Sequence, residues 1–200
     1  LCILAIAVWA VSKRSAEVPI KLPLVLLALV SFQALLGMWT VTLNLLPVVV
    51  MGHLLGGFSV LTCLFLLYLR LSRYRIGFVD MRIKRYATFA ALGIVVLVGQ
   101  IALGGWTSAN YAALACTEFP VCEGDWLSRL DMAGAYSVPE AVNYEYGAHD
   151  YAERMTMHIV HRLGAVITFL YLGWLAISLY RRSASQHLRN ASVVLGLVLL

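Results

Sequence analysis

The sequence predicts an all-α integral membrane protein, a polytopic bundle of transmembrane helices. Three observations carry that expectation. The 200-residue chain is 62% hydrophobic and 12% charged, with a mean hydropathy of +0.84, whereas soluble domains run at roughly 45–50% apolar and about 25% charged. Its apolar residues fall in runs of about 20, the length that crosses a bilayer core as a helix. Its charges gather in the connections between those runs.

In chain order, residues 1–12 are an apolar stretch too short to cross a bilayer, stopped by Lys13-Arg14. Residues 22–71 are nearly free of charge and hold two spans, broken by the turn signal Asn44-Leu-Leu-Pro47. Two further spans are expected at 87–107 and 155–180, and an apolar stretch, "SVVLGLVLL", runs to Leu200. A chain that opens on Leu1 and stops within an apolar run reads as an internal fragment, with four complete spans and two partial ones.

A net charge of +5 invites a nucleic-acid partner, but the placement of the charges argues against one. Arg70, Arg73, Arg75, Arg82, Lys84 and Arg85 crowd one connection, Lys13, Arg14 and Lys21 another, and Arg181 and Arg182 a third. Between the connection at 70–85 and the one at 181–182 lies segment 108–153, which carries eight of the ten acids and a single internal base, Arg129. The positive-inside rule puts the basic connections in the cytoplasm and loop 108–153 on the periplasmic side. Disulfides persist there, so Cys116 and Cys122, flanking "TEFPV", read first as a structural disulfide and second as a redox-active pair. Cys2 and Cys63 lie in apolar helix and read as inert packing residues.

A weak internal repeat links the spans. "QALLGMWT" at 33–40 matches "QIALGGWT" at 100–107, and "HLLGG" at 53–57 matches "HRLGA" at 161–165. In each copy a Gln/Trp-Thr helix runs outward and a His-x-Leu-Gly helix returns. His53 lies six residues past Pro47 and His161 seven past Arg154, so both stand roughly 10 Å into their helices. Gly56-Gly57 and Gly164-Ala165 leave room for close helix packing or for a flat ligand.

An ionisable residue inside a span is a functional candidate by default. Two imidazoles at matched depth suit a transition metal, and His residues on facing helices are how a membrane bundle holds a haem. No carboxylate cluster accompanies them in the spans, which argues against zinc or manganese. His158, one turn before His161, is open to three roles: second ligand, hydrogen-bond partner or interfacial residue. Arg162 suits an anionic group such as a haem propionate, or simple snorkelling to the outer interface. Glu153 suits the positive end of its helix. Trp39 and Trp106 read as interfacial belt, Gln33 and Gln100 as interhelical hydrogen bonders, and His149 and His187 as ordinary loop residues.

The stretches "QALLGMWTV…MGHLLGG", "GQIALGGWTSANYAALACTEFPVC" and "MTMHIVHRLGAVITF" together resemble the haem A synthase family in its proteobacterial form. The resemblance implies an eight-helix protein of two four-helix halves, each holding a haem between two histidines. On that pattern residues 1–85 are the end of the N-terminal half, with a partial second helix and full third and fourth helices. Residues 86–200 are the C-terminal half: fifth helix, outer loop 108–153, sixth helix and the start of the seventh. His53 and His161 would each ligate a haem iron, Cys116 and Cys122 would match the family's outer-loop pair, and the partner ligands and a functional Glu would lie outside 1–200.

The activity so implied is oxidation of the C8 methyl of haem O to a formyl group, through successive hydroxylations and loss of water, giving haem A for terminal oxidases. Haem b would be the cofactor in the C-terminal half and haem O the substrate in the N-terminal half. The setting would be the bacterial inner membrane, with a haem O synthase and an electron donor as partners. Two other classes compete: a b-type cytochrome or haem-handling module that leaves haem unaltered, and a thiol oxidase working through Cys116 and Cys122, which leaves the repeated histidines unexplained.

Overall fold

The computed structural model describes residues 1–13, 20–72, 84 and 86–200. Arg14, Arg73, Arg75, Arg82 and Arg85 of the basic connections lie outside them. Among the described residues every regular element is helical, and four helices are long and apolar enough to cross a membrane. The chain divides into two compact units, Leu1–Arg75 with Val138–Ala148, and Ile76–Ser137 with His149–Leu200.

In the first unit, α1 (Cys2–Ser12) packs on α2 (Lys21–Thr42), and α2 on α3 (Pro47–Leu71). At 1.5 Å per residue the 22 residues of α2 span about 33 Å, close to the thickness of a bilayer core. The turn signal works as expected. Leu45 N donates to Thr40 O at 2.9 Å to close α2, Asn44 and Leu45 take φ of +49° and +64°, and Pro47 occupies the first turn of α3, where a missing N–H costs nothing. Asn is the side chain that best tolerates the left-handed region, while a leucine there is uncommon. Asn44 also anchors the returning segment: its Nδ2 donates to Val142 O at 2.9 Å, and its carbonyl accepts from Tyr144 N at 3.0 Å.

In the second unit, α4 (Tyr86–Ala109) packs against α6 (Tyr151–Arg182), which also carries the short α5 (Met132–Ala135) and α7 (Gln186–Val198). α6 begins four residues ahead of the expected span because Asp150 and Glu153 form a reciprocal capping box: Asp150 Oδ1 accepts from Glu153 N at 2.9 Å and Glu153 Oε2 from Asp150 N at 3.0 Å. Away from the loop end, Tyr86, Phe89, Tyr171 and Trp174 form an aromatic cluster, and Tyr171 donates its hydroxyl to Phe89 O at 2.9 Å. Large apolar side chains such as Phe32, Leu61, Val95 and Leu170 stand exposed on the helices, as lipid-facing residues do.

Segment 108–153 is not featureless. A 3-10 turn (Leu127–Arg129) and α5 lie within it, and Cys116 and Cys122 pack with Met155 and Ile159 of α6 beside Trp126 and Leu130. Trp106 departs from the expected interfacial belt. It is buried, donates Nε1 to Ala135 O at 2.8 Å and stacks on Tyr136 with centroids 6.4 Å apart, because the loop folds over it and supplies the partner an enclosed indole N–H needs. Burial pushes the Tyr136 phenol above its ordinary value.

Candidate functional site

Residues four apart on a helix share a face, so α2 presents Gln33 and Gly37 together, and α4 presents Gln100 and Gly104. Residues three apart do the same for His53 and Gly56 on α3, and for His161 and Gly164 on α6. Within each unit the two pairs interlock. A Cβ placed on Gly37 would stand 3.3 Å from His53 Cε1, and one on Gly104 would stand 3.0 Å from His161 Cε1. A Cβ on Gly56 would overlap the Gln33 carboxamide, and one on Gly164 the Gln100 carboxamide. Each imidazole therefore lies against a glycine of the outward helix, and each carboxamide against a glycine of the returning one. Glycine is what permits that approach.

The matched placement of the two histidines rests on these contacts rather than on distance from the helix start. His161 is ten residues into α6 and His53 six into α3, since α6 carries its extra first turn beyond the interlock. The carboxamides differ in orientation. Gln100 turns Oε1 toward Gly164 and its Nε2 toward His161, donating to Nδ1 at 3.0 Å and to the His161 carbonyl at 3.2 Å. Gln33 turns Nε2 toward Gly56. Gln33 Nε2 and Gln100 Oε1 are both buried and make no hydrogen bond.

His158 and Arg162 bracket His161 on α6, and both are engaged by the loop after α4. The His158 Nδ1 donates to Ala112 O at 3.1 Å, the arrangement of a hydrogen-bond partner. Arg162 spreads its guanidinium over three loop carbonyls: Glu118 O at 2.7 Å and Pro120 O at 3.4 Å from Nη1, and Cys116 O at 3.2 Å from Nη2. Cys116 and Cys122 form a disulfide, and both are buried. Cys2 is exposed and Cys63 half-buried, each a free thiol.

His149 is not the ordinary loop residue expected from its position. It is 5% exposed and its Nδ1 lies 2.9 Å from Glu153 Oε2, so one carboxylate serves both the helix cap and the imidazole. The His-Asp-x-x-Glu spacing was the available signal: it places His149 four residues before Glu153, just ahead of the capping aspartate.

Among the described residues no group of three or more His, Cys, Asp or Glu stands close enough to hold a metal ion. A bare transition metal needs three or four protein ligands, so one imidazole per unit does not make such a site. A haem iron arrives with four porphyrin nitrogens and asks the protein only for axial donors. In the second unit the half-buried His161 imidazole, backed by the Gln100 carboxamide with its unused oxygen, suits that demand and fits a haem; in the first unit His53 is exposed and the unpartnered atom of Gln33 is its nitrogen.

Four membrane-spanning helices and a twice-repeated His–Gln–Gly interlock define a multi-pass helical membrane protein with an imidazole site in each of its two units. The chain belongs to the COX15-CtaA family, described as cytochrome oxidase assembly protein, whose model matches residues 1–200. It is 47% identical over 203 residues to the Heme A synthase of Shewanella oneidensis, a match that takes in 100% of this chain and 61% of that protein. The chain thus spans about three-fifths of the length of this curated relative. No solved structure matches.

Proposed function

We propose that this chain carries the haem-handling helices of a haem A synthase, which oxidises the C8 methyl of haem O to a formyl group. The observation that supports it most is the interlock itself: two units place one imidazole each in the same glycine-lined setting, as an enzyme with a resident haem and a substrate haem requires. The named relative points the same way. A methyl C–H bond is inert to every side chain in this sequence, and a bound iron porphyrin supplies the oxidising chemistry.

On this reading His161 would hold a resident haem b in the C-terminal half, residues 86–200, and His53 would hold the substrate haem O in the N-terminal half, residues 1–85. Gly37 and Gly104 let each ring approach the backbone of the neighbouring helix, which limits its rotation. Arg162 and His158 hold the loop 112–120 against the stretch of α6 around His161, and the buried disulfide keeps that loop short and fixed. Such a cover limits access of water to the metal ligand. The basic connections face the cytoplasm of a bacterial inner membrane, loop 108–153 faces the periplasm, and a haem O synthase and an electron donor are the partners. The buried position of Cys116 and Cys122 favours a structural bond over a thiol-oxidase role.

The test is liquid chromatography with mass detection of haems extracted from the purified full-length protein, expressed with and without a source of haem O. Haem B accompanied by haem A or its hydroxylated precursor supports the proposal. Haem B alone in the presence of haem O would leave a cytochrome, and no haem at all would end the haem reading.

A further inference from the structure

We infer that Gln100 is a positioning residue for the His161 imidazole, acting through its carboxamide as either donor or acceptor at Nδ1. This rests on the haem reading above. An amide nitrogen can only donate, so the 3.0 Å contact from Gln100 Nε2 makes His161 Nδ1 an acceptor, and the neutral ring then carries its proton on Nε2. A ring in that form has no lone pair to give through Nε2. Metal-bound histidines instead present a bare Nε2 and donate Nδ1–H to an oxygen, which fixes the ring plane and raises the basicity of the ligand.

The missing acceptor is already in place. Gln100 Oε1 is buried without a hydrogen-bond partner, on the same carboxamide that touches Nδ1. A half-turn of the terminal amide brings Oε1 to Nδ1 and Nε2 toward Gly164. The turn gives up the 3.2 Å bond from Nε2 to the His161 carbonyl and moves Oε1 to that side, so the side chain must shift away from that oxygen as it turns; Gly164 has no side chain to obstruct the swing. The reversed placement occurs in the first unit, where Gln33 directs Nε2 at Gly56. A carboxamide carries its donor and its acceptor on separate atoms of one rotor, so a half-turn exchanges them. Gln100 thus satisfies the imidazole in the metal-free protein and serves it as an acceptor once Nε2 is committed to a metal.

The test compares the wild type with Gln100→Leu and Gln100→Glu, purified from cells that make no haem O, and reads haem per protein, the midpoint potential and the low-spin electron paramagnetic resonance spectrum of the ferric form. A carboxylate is a stronger acceptor at Nδ1–H, makes the ligand more basic and favours ferric iron, so Gln100→Glu shifts the potential downward. Leucine offers no acceptor. It shifts the potential upward and weakens haem retention by about 10- to 100-fold. If Gln100→Leu is too depleted to measure, the direction of the Gln100→Glu shift decides. Wild-type potential and spectrum in Gln100→Glu would overturn the inference while leaving the haem reading intact. A wild type that purifies without haem would overturn both.

Discussion

The Arg162 guanidinium, one residue past His161 on α6, donates to the carbonyl of Cys116 at 3.2 Å, tying the turn of helix that carries His161 to one end of the disulfide. The same group also reaches the Glu118 and Pro120 carbonyls, so a single side chain closes the polypeptide ring that the disulfide defines. Arginine suits the task because its planar fork carries five donors and stays charged.

Arg162→Leu removes all three bonds and leaves a part-buried carbonyl unserved. The expected cost is about 1–3 kcal/mol, read as a lower unfolding temperature of the detergent-purified protein, together with faster reduction of the disulfide by added thiol. Arg162→Lys recovers only part, since an ammonium cannot fork across three acceptors. Unchanged melting and reduction in Arg162→Leu would refute the anchoring role.

His161→Ala and His158→Ala separate a ligand from its neighbour. The Nδ1 of His158 already holds the Ala112 carbonyl, so its loss loosens the loop but leaves the resident haem bound. His161→Ala is expected to remove that haem. Pigment extraction per mole of folded protein gives the answer, and equal haem content in the two variants would contradict the assignment.

Replacing Cys116 and Cys122 together by serine is expected to lower stability by roughly 2–4 kcal/mol at most, with weaker haem retention but residual turnover. The sulfurs pack with Met155 and Ile159, so part of the loss comes from hydroxyls placed in an apolar setting. A double variant that stays folded and haem-loaded yet turns over no substrate would show a redox duty instead.

Gly104→Val puts a branched side chain where even a Cβ stands 3.0 Å from His161 Cε1. The ring must shift or the helices separate, at about 1–3 kcal/mol for an overpacked contact. Loss of haem with retained folding is the expected outcome, measured by absorbance and circular dichroism on one sample. At Gly57, where a Cβ meets nothing within 4 Å, an alanine substitution should leave both unchanged.

The helices were legible because length, apolarity and charge placement act locally: Asn44 and Pro47 mark their turn by backbone preference alone, and it forms where they stand. The repeat was legible as letters, and Gln, Gly and His do meet in both units. What the letters could not convey was direction. Nothing in "QIALGG" shows that Gln100 turns its nitrogen toward His161 while Gln33 faces a glycine, because that depends on the opposing helix. Arg162 was open for the same reason. Its partners are backbone carbonyls some forty residues away, and carbonyls leave no trace in sequence. The capping box at Asp150 and Glu153, by contrast, was written in plain spacing, and only its reach to His149 required the fold.

The short tie between Asn44 and the segment Val138–Ala148 has a topological consequence. The polypeptide leaves the first unit after α3, builds α4 and most of the outer loop in the second, returns for eleven residues, and departs again at His149. Neither unit is a continuous stretch of chain. A duplicated gene whose copies had stayed independent could be cut between them and its pieces folded apart; here severing the chain between α3 and α4 would strip the first piece of a strap encoded by the second. The insertion that lengthens the second copy thus supplies residues to both units.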